Sequence, residues 1–209
     1  EASMILSNEP LFRRLLILSP FSEWELVALI HTAPLRYKDH YILKRNGRGR
    51  RLISQPTLEL KFLQRLLVSK EFVNLPMHDA AVAYRRCHSI KDHAAPHASN
   101  KYLLKLDFKD FFPSLEERTL RYRLSRDTHY SDAEMWILCQ LLLRRKGRSD
   151  GLRLSIGAPS SPFVSNYVMW EFDSKLSEFC DQGNARYSRY ADDLAISSSE
   201  PRFLDRAEA

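Results

Sequence analysis

The stretch Ala185-Arg186-Tyr187-Ser188-Arg189-Tyr190-Ala191-Asp192-Asp193-Leu194-Ala195-Ile196-Ser197 decides the fold. Ala185–Tyr190 and Leu194–Ser197 are short runs suited to strands, and Ala191-Asp192-Asp193 between them is a tight turn. The expectation is an antiparallel hairpin with two carboxylates at its tip. On its own, an Asp-Asp pair is an ordinary turn. What changes the reading is a second acidic segment upstream.

That segment is Leu104-Lys105-Leu106-Asp107-Phe108-Lys109-Asp110-Phe111-Phe112-Pro113. Tyr102–Phe108 is a strand candidate that ends in acid. Asp is disfavoured in strands and costly near a core. A carboxylate at the end of an apolar strand therefore needs a reason. Two such strands laid side by side would bring Asp107 against the Asp192–Asp193 turn. Three carboxylates together repel unless cations lie between them. Hard oxygen donors at open positions suit Mg²⁺, and a pair of such ions about 4 Å apart is the usual device for in-line nucleotidyl transfer.

Outward from these two segments, Ser22-Glu23-Trp24-Glu25 is a capping box opening a helix over 22–33. Tyr41–Leu43 and Arg51–Ser54 flank Asn46-Gly47-Arg48-Gly49, a hairpin signal. Pro56 and Thr57 open an amphipathic helix running toward Pro76. Ser114-Leu115-Glu116-Glu117 and Ser131-Asp132-Ala133-Glu134 are further capping boxes. The first predicts a helix to about Ser125. The second predicts one ending in Arg144-Arg145-Lys146-Gly147. Ser161 or Pro162 starts a long helix ending near Gly183. Helices mixed with antiparallel hairpins make the class α+β.

The chain has 209 residues, 44% hydrophobic and 28% charged, as in a globular protein. No apolar run is long enough to span a bilayer. Glu1 and Glu9 lie where a leader would carry positive charge, so no membrane partner and a cytoplasmic location are expected. Cys87, Cys139 and Cys180 lack metal-ligand spacing and are expected to be reduced thiols. Lys and Arg outnumber Asp and Glu by 32 to 26, a modest hint of a polyanionic partner. Arg36–Arg51 holds seven Lys/Arg and a single acid, Asp39. Arg144, Arg145, Lys146, Arg148 and Arg153 form a second cluster. Either cluster could equally be solvated surface charge.

Tyr190-Ala191-Asp192-Asp193 resembles the catalytic turn of reverse transcriptases. The likeness continues in the family's order. Tyr41–Pro56 is similar to the fingers hairpin and Leu104–Pro113 to the first palm motif. Ile156-Gly157-Ala158-Pro159-Ser160-Ser161-Pro162, with Ser165 and Asn166, is similar to the loop and helix lining the nucleotide pocket. Within the family the chain resembles bacterial retron enzymes. One cue is His93-Ala94-Ala95-Pro96-His97, similar to their Asn-Ala-x-x-His segment but with His93 in place of Asn. Ile156 also stands where many relatives carry Gln.

The resemblance implies a right-hand polymerase fold, with fingers mainly over 35–100 and palm mainly over 101–125 and 155–209. Later palm strands and a thumb would lie beyond this chain, so residues 1–209 alone are expected to be inactive. It implies an RNA-directed DNA polymerase with Asp107, Asp192 and Asp193 as catalytic residues. The same three, with the Phe108 backbone carbonyl, would hold two Mg²⁺ ions, for which Mn²⁺ can substitute. Lys44, Arg50 and Arg51 would grip the nucleotide phosphates. Phe112, five residues after Asp107, would pack under the incoming sugar and exclude a 2′-OH. Gly157 and Ala158 would let the backbone approach the base pair. Arg85, Arg86, His97 and Arg145 are candidate contacts to template or primer; His97 could equally be a surface residue. The partners implied are a structured non-coding RNA, its cDNA, deoxynucleotides and an effector protein in anti-phage defence. The product would be branched RNA-linked DNA. The rival readings are a group II intron or other bacterial defence reverse transcriptase, and a catalytically silent RNA-binding scaffold.

Overall fold

The computed structural model describes residues 6–43, 49–147 and 149–208. Ten α-helices and five strands follow one another along these residues. They are α1 (Pro10–Leu18), α2 (Glu23–Thr32), β1 (Tyr37–Leu43), β2 (Arg50–Pro56), α3 (Leu58–Leu66), α4 (Ile90–Ala94), β3 (Tyr102–Asp107) and α5 (Phe111–Ser114). After these come α6 (Glu117–Asp127), α7 (Asp132–Leu142), α8 (Ser161–Val168), α9 (Trp170–Gln182), β4 (Arg186–Tyr190), β5 (Asp193–Ser198) and α10 (Pro201–Glu208). The chain divides into two compact units: residues 1–75 with 112–161, and residues 76–111 with 162–209. Residues 76–100, assigned above to the fingers, thus cluster with β3, β4 and β5.

The first unit is built around α7. Its apolar residues Ile137, Leu138, Leu141 and Leu142 are fully buried, alongside Leu11, Leu26, Ile30, Leu60 and Leu63. The capping boxes at Ser22 and Ser131 both form, each with its Glu side chain returning to the cap backbone. Glu134 also accepts the Leu11 amide at 2.8 Å and so ties α1 to α7. Arg14 adds a two-pronged bond to Glu71 at 2.9 and 2.8 Å. β1 and β2 form a two-stranded ribbon from Tyr37↔Pro56 to Leu43↔Arg50, longer than the alternation alone indicates.

Two expectations in this unit are corrected. Ser114 is not a helix cap: it ends the short α5, and α6 starts after Glu116 without a side-chain cap. The reason is tertiary. The Leu154 amide donates to Leu115, and the Glu117 amide donates to Leu152, so Leu115 and Glu116 are held against 152–154, with Glu116 bridged to Arg153, and the helix starts only at Glu117. Similarly, α7 stops at Leu142 rather than running into the basic cluster. Arg144 instead exchanges backbone hydrogen bonds with Arg153 at 2.8 and 3.0 Å.

The second unit is a three-stranded antiparallel sheet in the order β3-β5-β4. One face carries Leu104, Leu106, Leu194, Ile196, Tyr187 and Arg189. There Ile196 packs with Cys180, Ala185 and Phe203, and Leu104, Leu176, Phe179 and Tyr187 border the cluster. Gly183 lets α10 dock, since a Cβ there would stand 2.0 Å from the Phe203 ring. The long helix expected over 161–183 is broken at Met169 into α8 and α9.

Candidate active site

The sheet of the second unit positions the acidic residues. Asp107, the last residue of β3, pairs directly with Asp193, the first residue of β5. Asp193 also pairs with Tyr190 at the end of β4, so Asp107, Asp193 and Tyr190 form one row across three strands. Directly paired residues project to the same face of a sheet, with Cβ atoms roughly 5 Å apart. Asp107 and Asp193 are exposed and Asp192 is half-buried. Ala191 takes φ +59°, a left-handed conformation that glycine ordinarily supplies in such a two-residue turn. The turn is sewn to β3 by the Phe108 amide, which donates to the Asp192 carbonyl at 3.1 Å.

This donor set fits a hard dication. Asp107 and Asp193 are open to solvent and paired at the ends of two strands, where their repulsion lacks any folding benefit. Among the described residues, no three His, Cys, Asp or Glu side chains converge into a ready-made cage. The directly paired Asp107 and Asp193 are the carboxylates this structure brings together.

Behind the acidic row lies a buried polar chain that the sequence pattern did not reveal. His97 is bonded through Nδ1 to Ser197 Oγ at 2.7 Å and through Nε2 to Ser188 Oγ at 2.8 Å. Ser188 Oγ also lies 2.8 Å from His93 Nδ1, and Asn100 donates to Ser197 Oγ at 2.8 Å. The His93 ring lies 5.8 Å from that of Tyr190. His97 is thus a brace across β4 and β5, buried with both ring nitrogens engaged, rather than a surface residue. Burial lowers the pKa of both imidazoles; for His93, Asp193 pulls the other way. The sequence does hold a signal for this: Ser188 and Ser197 lie on one strand face, two and four residues from the acidic row.

The opposite face holds a second unforeseen feature, a fully buried ion pair between Arg189 and Asp173 of α9 at 2.6 Å. Tyr187 donates to the same carboxylate at 2.7 Å, and burial together with that carboxylate drives the Tyr187 pKa upward.

The remaining candidates are placed as follows. Arg50 and Arg51 are exposed on β2, while Lys44 falls outside the described residues. Phe112 is half-buried in α5. Gly157, at φ +116°, presses against β2: a Cβ there would meet Ile53 Cγ2 and the Ser54 carbonyl, both at 2.9 Å. The Ser54 amide donates to the Ile156 carbonyl at 2.7 Å. The close approach that glycine permits here is therefore to the chain's own strand, and Ala158 beside it is buried. Arg85 folds back on the carbonyls of His78 and Ala81 and on Asp79, at 3.3 to 3.5 Å. Arg86 is exposed. Arg145 is half-buried, its amide held by the Pro34 carbonyl at 2.8 Å. Its neighbour Arg144 is paired with Asp39 at 2.5 Å, so part of this basic cluster is structural.

The family model for reverse transcriptase (RNA-dependent DNA polymerase) matches residues 42–207. The chain belongs to the reverse transcriptase family. It is 39% identical over 182 residues to the retron Ec83 reverse transcriptase of Escherichia coli, covering 86% of this chain and 58% of the relative. It is 40% identical over 170 residues to the retron Ec73 reverse transcriptase of the same organism, covering 76% and 52%. The retron Mx65 enzyme of Myxococcus xanthus is 32% identical, with 81% and 43% covered. The chain thus spans a little over half the length of the first two relatives. Among solved structures, telomerase from Candida albicans superposes with a TM-score of 0.53 at 14% identity, covering 82% of this chain and 39% of that one. Apo telomerase from Candida tropicalis gives 0.51, also at 14% identity, covering 82% and 45%. These likenesses establish the reverse transcriptase fold of fingers and palm. No single helix among the described residues is long and apolar enough to cross a membrane.

Proposed function

We propose that this chain carries the nucleotidyl-transfer centre of a retron-type RNA-directed DNA polymerase. The observation that carries the reading is the direct pairing of Asp107 with Asp193, with Asp192 in the adjoining turn. Asp107, Asp192 and Asp193, with the Phe108 carbonyl, would hold two Mg²⁺ ions. Those ions, when bound, supply Lewis-acid chemistry: a lowered pKa for the attacking hydroxyl and neutralisation of the leaving pyrophosphate.

The chain's own residues do the rest. Lys44, Arg50 and Arg51 bind the triphosphate through charge-assisted hydrogen bonds. Phe112 bears on the sugar and disfavours a 2′-OH. The loop at Gly157 and Ala158 would bring its backbone close to the template–nucleotide pair. Arg85, Arg86 and Arg145 follow backbone phosphates, which makes binding salt-dependent. The identity with retron enzymes supports a structured non-coding RNA as template and primer, a branched RNA-linked DNA product, and a role in anti-phage defence beside an effector protein.

The test is primer extension by the full-length protein on an RNA template with Mg²⁺ and deoxynucleotides. Asp107→Asn and Asp192→Asn should each lower the rate by about 10³-fold or more while RNA affinity is kept. Near-normal extension by Asp107→Asn would remove the acidic row from the mechanism. An inactive parent that still binds RNA would point to the scaffold reading.

A further inference from the structure

Arg189 lies one residue before Tyr190, with its side chain inside the second unit. Both it and Asp173 are fully buried. Its Nε and Nη2 donate to the two Asp173 oxygens at 2.8 and 2.6 Å. That leaves Nη1, which donates to the Ala191 carbonyl at 3.0 Å and to Asn166 Oδ1 at 3.3 Å. Asn166 in turn donates to the Ala83 carbonyl at 2.8 Å. The guanidinium carbon lies 5.8 Å from the centre of the Phe111 ring. The Arg189 backbone is held as firmly: its amide donates to Ala80 at 2.7 Å and its carbonyl accepts from Val82 at 2.9 Å.

A buried ion pair is a poor way to gain stability, because well-packed apolar residues of similar size often serve as well. What an apolar side chain cannot do is hold the Ala191 carbonyl. Ala191 has a positive φ, and such a conformation in a residue other than glycine persists only where the surroundings over-determine it. The Ala191 carbonyl and the Asp192 amide share one rigid peptide plane. The next carbonyl, that of Asp192, accepts the Phe108 amide. Asp192 is therefore gripped through the peptide planes on both of its sides, from the core by Arg189 and from β3 by Phe108.

We propose that Arg189 is a positioning residue of the polymerase: anchored by Asp173, it sets the Ala191 peptide and with it the direction of the Asp192 carboxylate. This rests on the reading of Asp192 as catalytic. The guanidinium fork is required, since the same group must span a carboxylate and a carbonyl at once.

The test uses the full-length protein in three forms. Arg189→Met/Asp173→Leu/Tyr187→Phe removes the pair and its buried hydroxyl together and releases the Ala191 carbonyl and Asn166 Oδ1 from their Arg189 donor. Arg189→Lys keeps the charge but loses the fork. Asp192→Asn is the reference for the site itself. The apolar triple variant is expected to melt within a few degrees of the parent and to keep its RNA affinity. Its kcat should fall about 10²-fold, as for a misplacement of roughly 1 Å, with the nucleotide KM nearly unchanged. Hydrogen exchange at the Phe108 amide, which reports the Asp192 carbonyl without reference to activity, should quicken. Arg189→Lys should show the same split, and it decides the matter if the triple variant does not fold. A folded variant with parental kcat and parental Phe108 exchange would overturn the proposal and leave Arg189 as core filling. If instead Asp192→Asn remains active, the assignment of the site itself fails, and the proposal with it.

Discussion

Asp107 and Asp193 stand directly opposite each other where β3 pairs with β5. Like charges in that relationship destabilise a sheet. Neutralising one should therefore stabilise the metal-free protein while it ends synthesis. Asp193→Asn is expected to raise Tm in chelator by about 1–3 °C. Added Mg²⁺ should raise the parental Tm by binding the native state, and raise that of Asp193→Asn less. A parental Tm indifferent to Mg²⁺, with Asp193→Asn melting lower, would refute this account of the row.

Phe112 begins the chain's return to the first unit, five residues beyond Asp107, and is half-buried. Replacing it by Val should open space beside the sugar. The ratio of kcat/KM for deoxyribonucleotide over ribonucleotide should drop about 10-fold or more, the scale of pocket discrimination by a few methylene groups. An unchanged ratio would make Phe112 a packing residue alone.

Arg50 and Arg51 are exposed on a narrow ribbon, open to a polyanion. Arg51→Ala, and Lys44→Ala in the same basic stretch of sequence, should raise the nucleotide KM about 10-fold while template affinity changes little. The opposite pattern, weakened template binding with KM intact, would reassign both to the nucleic-acid backbone.

Burial lowers the His97 pKa in the folded state, with His93 beside it acting in the same direction. In the unfolded chain His97 takes up a proton near pH 6.5, roughly the value of a free imidazole. Its stabilising contribution is thus complete above that pH and is lost as pH falls through the lowered folded value. The His93 imidazole, lowered by burial and flanked by Asp193 and Lys105, adds to the trend. The urea midpoint of the parent should decline between about pH 7 and pH 5 more steeply than that of His97→Gln. Parallel curves would remove His97 from this linkage.

Thiol reactivity should separate the three cysteines. Cys87 is exposed. Burial pushes the thiol of Cys139 up to about 12 and that of Cys180 up to about 11. At about pH 8 neither buried thiol yields appreciable thiolate, so iodoacetamide should label Cys87 alone in the native protein and all three in denaturant. Labelling of Cys180 at the rate of Cys87 would show that α10 opens readily.

Much of this architecture is legible from local pattern. The hairpin about Ala191, the strand ending at Asp107 and the capping boxes at Ser22 and Ser131 depend on residues a few positions apart, and each forms. What local pattern does not supply is what distant segments do to one another. Ser114 has the spacing of a cap, but 115–117 are held by 152–154. Arg189 alternates with Tyr190 and so must face away from it. That this other face is the core, with an aspartate waiting in α9, follows only from the packing of Leu194 and Ile196. His97 is ambiguous in the sequence for the same reason: its two serine partners come from β4 and β5.

The order of the strands has a consequence for biosynthesis. β5 lies at the centre of its sheet yet is the last of the three strands to be made. As the chain emerges from the ribosome, β3 stays without a neighbour until Asp193–Ser198 arrives. β4 then closes on β5 through a local turn within microseconds, whereas β3 must be drawn in across a long intervening stretch that holds α5 to α9. Asp107 is accordingly the last member of the acidic row to reach its place, and the nascent palm holds an unpaired strand in the meantime. That interval is when the protein is most exposed to misassembly and to capture by chaperones.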